Sequence, residues 1–197
     1  MKKLLIALAT VAVAAGVQAA SFSWKTSATG KVYTPGDSST LLASATAYLF
    51  DVNTVSQGAL VAAFKGGTLD LTTGYISSQS ISSGAIASTS FTDGTAVGST
   101  LNAYFATLVT VDEKDYLFIS ATGSAAGQEG KTTNMNISGA ASKNAAMDVA
   151  NGYAGAGWYT TFTTPGPTPD PEGAPEPTSG LLMLIGAAGL ALRRKRA

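Results

Sequence analysis

The chain contains no cysteine and no histidine among its 197 residues. Without cysteine it can form neither a disulfide framework nor a thiolate metal site. Without histidine it can support neither a Ser-His-Asp hydrolase, nor a His-based zinc site, nor imidazole acid–base chemistry. The fold must therefore rely on its hydrophobic core, and several common kinds of enzyme and metal site are excluded.

Charge is also scarce, since only 12% of the residues are charged and the formal net charge is +0. Half of the positive residues lie at the two ends of the chain: Lys2, Lys3, Arg193, Arg194, Lys195 and Arg196. The part between them is mildly acidic. A nucleic-acid-binding protein needs a basic stripe with interleaved aromatic residues, so no nucleic-acid partner is expected.

Residues 1–19 have the pattern of a secretory signal peptide. Lys2 and Lys3 precede an apolar stretch over residues 4–13, which is too short to span a bilayer comfortably. Small residues then favour cleavage between Ala19 and Ala20, and a cut after Ala20 fits almost as well. Signal peptidase is therefore an expected partner, and we expect export across an envelope of the Gram-negative type.

Residues 20–164 are rich in Ser, Thr, Ala and Gly and predict a β-rich exported domain. Strands are predicted over residues 21–25, 44–50, 101–111, 116–122 and 158–162, with weaker candidates over 68–71, 75–81 and 133–137. One helix is predicted over residues 55–65, capped by Asn53 or Thr54 and ended by Gly66 and Gly67. The expected fold is mainly β, an antiparallel β-sandwich-like single domain with one short helix.

The segment 101–111 does not alternate strictly between polar and apolar residues, which predicts a central strand covered on both faces. The charged run Asp112, Glu113, Lys114 and Asp115 follows it and is typical of a solvated hairpin turn before the next strand. A calcium or catalytic carboxylate site at this run is the alternative interpretation.

Two glycine-rich stretches resemble nucleotide-binding motifs only loosely. Residues 125–132 fit a relaxed phosphate-binding loop, but the sequence that follows predicts a strand or loop where the motif needs a helix. Residues 152–157 have the wrong glycine spacing for a dinucleotide fingerprint and predict a turn before the last strand. No cofactor and no metal are therefore expected.

Carboxylates and aromatic residues leave two further functions open. A glycosidase-type carboxylate pair could be drawn from nine acidic residues, although their usual role is in turns and caps: Asp37, Asp51, Asp70, Asp93, Asp112, Glu113, Asp115, Glu129 and Asp148. Four aromatic residues could stack on sugars if exposed, although strand aromatics are more often core: Trp24, Tyr153, Trp158 and Tyr159. We expect a non-enzymatic protein, with a carbohydrate-binding module or a secreted glycoside-active enzyme as alternatives.

The composition changes abruptly after the domain. Residues 165–174 form a proline-rich linker, because the prolines fix φ and remove backbone donors. A hydrophobic segment over residues 181–192 follows, and a helix over residues 178–192 would be about 22 Å long against about 30 Å of hydrocarbon. The apolar residues that define this transient single span are Leu181, Leu182, Met183, Leu184, Ile185, Leu190 and Leu192. The basic stop Arg193, Arg194, Lys195 and Arg196 is expected on the cytoplasmic side.

Residues 175–197 resemble the PEP-CTERM sorting domain, because Pro175, Glu176 and Pro177 are followed by a hydrophobic helix and then by a basic cluster. The resemblance implies that an exosortase, a membrane-embedded cysteine transpeptidase-like enzyme, recognises the Pro-Glu-Pro and cleaves near it. It further implies an inner-membrane intermediate followed by release to the cell surface or the exopolysaccharide matrix, with exopolysaccharide as a further candidate partner. The chain would then be a sorting substrate whose body is structural or adhesive.

Overall fold

A computed structural model describes residues 18–161, so most of the predicted signal peptide, the linker and the sorting tail lie outside the described residues. The strands within this range are β1 (Ser21–Thr26), β2 (Ser44–Asp51), β3 (Ser77–Ser82), β4 (Ala85–Ile86), β5 (Thr89–Phe91), β6 (Thr100–Val111), β7 (Lys114–Ile119), β8 (Gly123–Ala126), β9 (Thr132–Ile137), β10 (Met147–Asp148) and β11 (Gly157–Thr160). One α-helix, α1 (Gln57–Lys65), follows β2, and two short 3-10 helices cover Ala140–Lys143 and Val149–Asn151. Within residues 18–161 no helix has the length and apolarity needed to cross a membrane.

The strands form two sheets, which confirms the mainly β, sandwich-like single domain. The larger sheet has the order β10-β11-β7-β6-β2-β3-β4, with β8 also paired to β6, and the smaller sheet has the order β5-β1-β9. The predicted antiparallel arrangement is confirmed only in part, because β1 pairs with β9 in parallel and β10 pairs with β11 in parallel. The parallel register places Trp24 opposite Met135, and both side chains are buried in one core.

Strand β6 is central, as its sequence predicts, and separates two hydrophobic cores. Phe105 on one face belongs to the core between the two sheets, together with Trp24 and Trp158. Tyr104 on the opposite face belongs to a second core, which α1 helps to cover with Leu60 and other apolar residues. Since neighbouring strand residues point to opposite faces, burial of both faces explains why the β6 sequence does not alternate.

Helix α1 confirms the predicted helix but begins later than expected. Ser56 is the N-cap, and its hydroxyl accepts a hydrogen bond from the backbone N–H of Ala59, 3.2 Å away. The predicted caps Asn53 and Thr54 are therefore wrong, and the side-chain amide of Asn53 instead donates to the Asp51 carboxylate in the turn that precedes α1. Gly66 is the C-cap, as predicted.

The predicted strand over residues 68–71 is wrong. Asp70 accepts hydrogen bonds from the backbone N–H and hydroxyl of Thr72 and from the hydroxyl of Thr73, which bends this segment into a turn. The buried side chain of Leu71 accounts for the apolar pattern, because it packs in the core beside α1. The other predicted strands are confirmed with shifted ends, whereas the short strands β4, β5, β8 and β10 had no clear sequence signal.

The predicted hairpin between the two strongest strands is confirmed. Val111 pairs with Lys114, so the connecting loop has two residues, Asp112 and Glu113, whose φ angles are 49° and 62°. Two consecutive positive φ angles match the twist of the flanking strands, as in a type I′ turn. This turn usually takes glycine or asparagine, so Glu113 holds an unfavourable backbone conformation.

Candidate functional site

The predicted sorting residues lie outside the described residues. This applies to Pro175, Glu176 and Pro177 and to the whole of the hydrophobic segment and basic cluster. The predicted signal cleavage point does lie within the described range, because residues 18–20 precede β1. Ala19 and Ala20 are therefore the predicted site residues whose surroundings the structure describes.

Ala19 and Ala20 lie in different environments. Ala19 is exposed and forms an isolated antiparallel bridge with Ala96. Ala20 is only 1% exposed, and its backbone N–H donates to the carbonyl oxygen of Thr95 at 2.7 Å. Its methyl group packs closely against Gly127, where an added Cβ would lie 2.6 Å from the Cβ of Ala20. Ala20 therefore belongs to the folded domain.

Three of the four aromatic residues considered for sugar stacking are buried, so the stacking interpretation is wrong for them. Trp24, Trp158 and Tyr159 have no exposed surface. The Trp158 indole donates to the carbonyl oxygen of Tyr33 and packs against Phe118, with ring centroids 5.2 Å apart. These side chains stabilise the core, as aromatic residues in strands usually do.

Tyr153 is partly exposed and lies on the second face of the larger sheet. Its ring stacks on that of Tyr159, at a centroid distance of 6.1 Å. Desolvation raises the pKa of the Tyr159 hydroxyl, which accepts from the N–H of Ala154 and donates to the carbonyl of Gly155. The predicted turn over residues 152–157 is thus held by a tyrosine hydroxyl.

Most of the acidic residues have structural roles in turns and caps. Five carboxylates each accept a hydrogen bond from the backbone N–H two residues later in the chain: Asp37, Asp51, Asp70, Asp93 and Asp148. Such bonds stabilise turns and helix N-termini. Within residues 18–161 no three acidic side chains are grouped closely enough to hold a metal ion.

The loose phosphate-loop motif lies in a strand region. Gly127 follows β8, and β9 begins at Thr132, so the residues after the motif are a strand of the smaller sheet. A phosphate-binding loop needs the N–H groups of a helix N-terminus at this position. The motif therefore does not have the geometry for nucleotide binding, in agreement with the sequence-based interpretation.

A concave surface lies on the face of the larger sheet that α1 only partly covers. The nine residues of α1 extend about 13 Å, whereas the twelve residues of β6 extend about 40 Å. The helix is too short to cover the whole of β6: Tyr104 and Ala106 share the second core with residues of α1, whereas Leu108 lies further along the strand. Leu108, in the middle of the larger sheet, is 41% exposed for this reason.

Two adjoining clefts share Leu69 and Leu108 and together form one groove, which we call the Leu108 groove. Their volumes are about 390 Å³ and about 350 Å³. Thr46 and Tyr48 of β2 lie beside Leu108 on the floor of the groove. The end of α1 and the turn that follows it form one wall of the groove, and the β6–β7 hairpin lies at one of its ends.

The polar groups of the Leu108 groove are hydroxyls, carboxylates and the ammonium group of Lys114. Asp70 and Thr72 lie in the wall, and Glu113 and Asp115 lie at the hairpin end. Hydrogen bonds from Thr72 and Thr73 lower the pKa of Asp70, so its carboxylate stays ionised well into the acidic range. Asp115 accepts a hydrogen bond from the Thr110 hydroxyl at 2.6 Å.

Tyr75 lies beside the Leu108 groove, in contact with Tyr48 of the groove floor. It is 41% exposed and meets Tyr48 edge to face, with ring centroids 5.4 Å apart and an interplanar angle of 74°. The contact limits the motion of the Tyr75 ring, because edge-to-face pairs are favourable for aromatic rings. No sequence pattern indicated Tyr48, Tyr75 or Leu108 as site residues, since the exposure of a side chain depends on how the elements around it pack.

Comparison with family models, curated proteins and solved structures finds no match to this chain.

Proposed function

We propose that this chain is an exported cell-surface or extracellular-matrix protein, sorted through its C-terminal tail as a substrate of exosortase. The observation that carries the proposal is the order of Pro175, Glu176 and Pro177, an apolar segment and a basic cluster. Each part has a physical role in sorting: a proline-containing recognition site, a short membrane span and a cytoplasmic stop. The tail then serves as a processing signal, with no catalytic duty.

The body has features that support a structural or adhesive role outside the cell. It needs no disulfide, because two hydrophobic cores bury its large aromatic residues. Five of its nine carboxylates are engaged in local turns and caps, which gives them a structural use. Its surface is rich in Ser and Thr hydroxyls and carries little charge, which suits contact with a hydrated polysaccharide matrix.

The sorting proposal can be tested by replacing Pro175, Glu176 and Pro177 with alanine in a Gram-negative host that contains an exosortase. We expect this variant to accumulate in the inner membrane, whereas the unchanged protein reaches the surface. The matched control replaces Pro167, Pro169 and Pro171 of the linker with alanine and should reach the surface normally. Surface delivery of the Pro-Glu-Pro variant at the unchanged level would contradict the proposal.

A further inference from the structure

We infer that the Leu108 groove, defined above, binds an uncharged polysaccharide chain. The inference rests on the proposed surface location, because an exported domain meets such polymers outside the cell. The groove is open along its length and is formed by two adjoining clefts of similar size. An open elongated groove can hold several units of a polymer, whereas a small ligand is usually enclosed in a deeper pocket.

An exposed aromatic ring beside the groove supplies the apolar contact that a sugar ring needs. A sugar presents a face of C–H groups, which packs on an aromatic ring, and hydroxyls at its edge. Tyr75 offers an exposed ring, and Tyr48 holds that ring in place. Leu108 adds an apolar surface on the groove floor, so a bound chain would cover a side chain that otherwise stays 41% exposed.

The polar groups of the groove match sugar hydroxyls. The carboxylates of Asp70 and Asp115 each accept hydrogen bonds from threonine hydroxyls and retain further lone pairs for a ligand donor. Thr46 and Thr72 add hydroxyl groups, which can both donate and accept. A ligand with alternating donors and acceptors can therefore be bound without burying an unpaired polar group.

The charge of the groove selects against polyanions. Three carboxylates line the groove, those of Asp70, Glu113 and Asp115, and Lys114 contributes one positive charge. Residues 18–161 contain nine acidic residues and six lysines, a net charge of −3, so the rest of the domain does not offset this acidity. Like charges oppose each other at close range, so a neutral polysaccharide is favoured over an acidic one.

Affinity electrophoresis of the full-length protein in mild detergent tests the inference directly. The gels contain dextran, galactomannan or xyloglucan as neutral polymers, or alginate as a polyanion. We expect at least one neutral polymer to retard the protein and Tyr75→Ala to weaken that binding about tenfold. Leu108→Thr is a second groove variant, and near-ultraviolet circular dichroism checks that each variant is folded.

Tyr153→Ala is the matched control, because Tyr153 is 39% exposed but lies outside the groove. Weaker binding in a folded groove variant, together with unchanged binding of the control, supports the inference. Three results would overturn it: no retardation by any neutral polymer, retention of binding in both groove variants, or tighter binding of alginate than of the neutral polymers. Normal surface delivery of a protein that fails this test would leave the sorting proposal standing.

Discussion

Trp24 donates a hydrogen bond from its indole Nε1 to Oγ of Ser77, 3.0 Å away. Trp24 belongs to β1 of the smaller sheet, and Ser77 is the first residue of β3 in the larger sheet. The bond therefore joins the two sheets and satisfies a donor whose side chain has no exposed surface. A buried N–H left without a partner costs about 1–3 kcal/mol.

Replacing Ser77 with alanine should therefore lower the free energy of unfolding by about 1–2 kcal/mol, because the indole N–H of Trp24 loses its acceptor. Urea denaturation measures the change. Ser78→Ala is the matched control, since Ser78 is exposed on the same strand and should change stability by less than about 0.5 kcal/mol. Equal effects of the two substitutions would show that the bond between the sheets contributes nothing measurable.

The β6–β7 hairpin offers a stabilising substitution. Glu113 has a φ of 62°, which glycine adopts without the steric cost that a side chain meets. Glu113→Gly should raise the free energy of unfolding by about 1 kcal/mol and the melting temperature by roughly 2–4 °C. Glu129→Gly, at another exposed glutamate, should bring no gain. A lower melting temperature for Glu113→Gly would contradict the assigned turn.

The environment of Ala20 predicts where the mature chain begins. A cut after Ala19 keeps the buried methyl group of Ala20 and leaves its nitrogen, as an α-ammonium group, able to donate to Thr95, whereas a cut after Ala20 removes both. We expect N-terminal sequencing of the exported protein to begin at Ala20. A protein produced from Ser21 onward should be less stable than one produced from Ala20 by about 1–2 kcal/mol. Equal stability of the two would remove the structural preference between the cleavage positions.

Acid should weaken the turns that carboxylates organise. Hydrogen bonds from Ser39 and Thr40 lower the pKa of Asp37, and those from Thr72 and Thr73 lower the pKa of Asp70. A lowered folded-state pKa stabilises the fold above the unfolded pKa of about 4, and this contribution is lost as the pH falls through the folded value. Urea denaturation between neutral pH and pH about 2 should show the decline. Asp70→Asn should make this decline in stability with falling pH shallower, whereas Glu129→Gln should leave the decline unchanged.

Sequence patterns predicted the strands and the helix whose signals come from neighbouring residues. The segment 101–111 indicated a strand buried on both faces, and β6 has that position between the two cores. Gly66 marked the end of α1, because a glycine ends helices readily. These signals depend on neighbouring residues alone, so one sequence is enough to detect them.

Features that depend on distant parts of the chain could not be predicted. Ser21 of β1 and Thr132 of β9 lie side by side but are 111 positions apart, so their parallel pairing has no local signal. The turn at Asp70 was missed for a local reason: an apolar alternation there resembles a strand, but hydrogen bonds from Thr72 and Thr73 to the Asp70 carboxylate favour a turn. The exposure of Leu108 depends on the length of α1 relative to β6, which explains why the groove was missed.

We propose that the tail is a sorting signal that is removed during delivery. Intact-mass measurement of the protein isolated from the cell surface tests this most directly. We expect a chain that begins at Ala20 and ends near Pro175, Glu176 and Pro177, without the apolar segment and the basic cluster. A surface protein that still carries Arg193, Arg194, Lys195 and Arg196 would contradict removal of the tail.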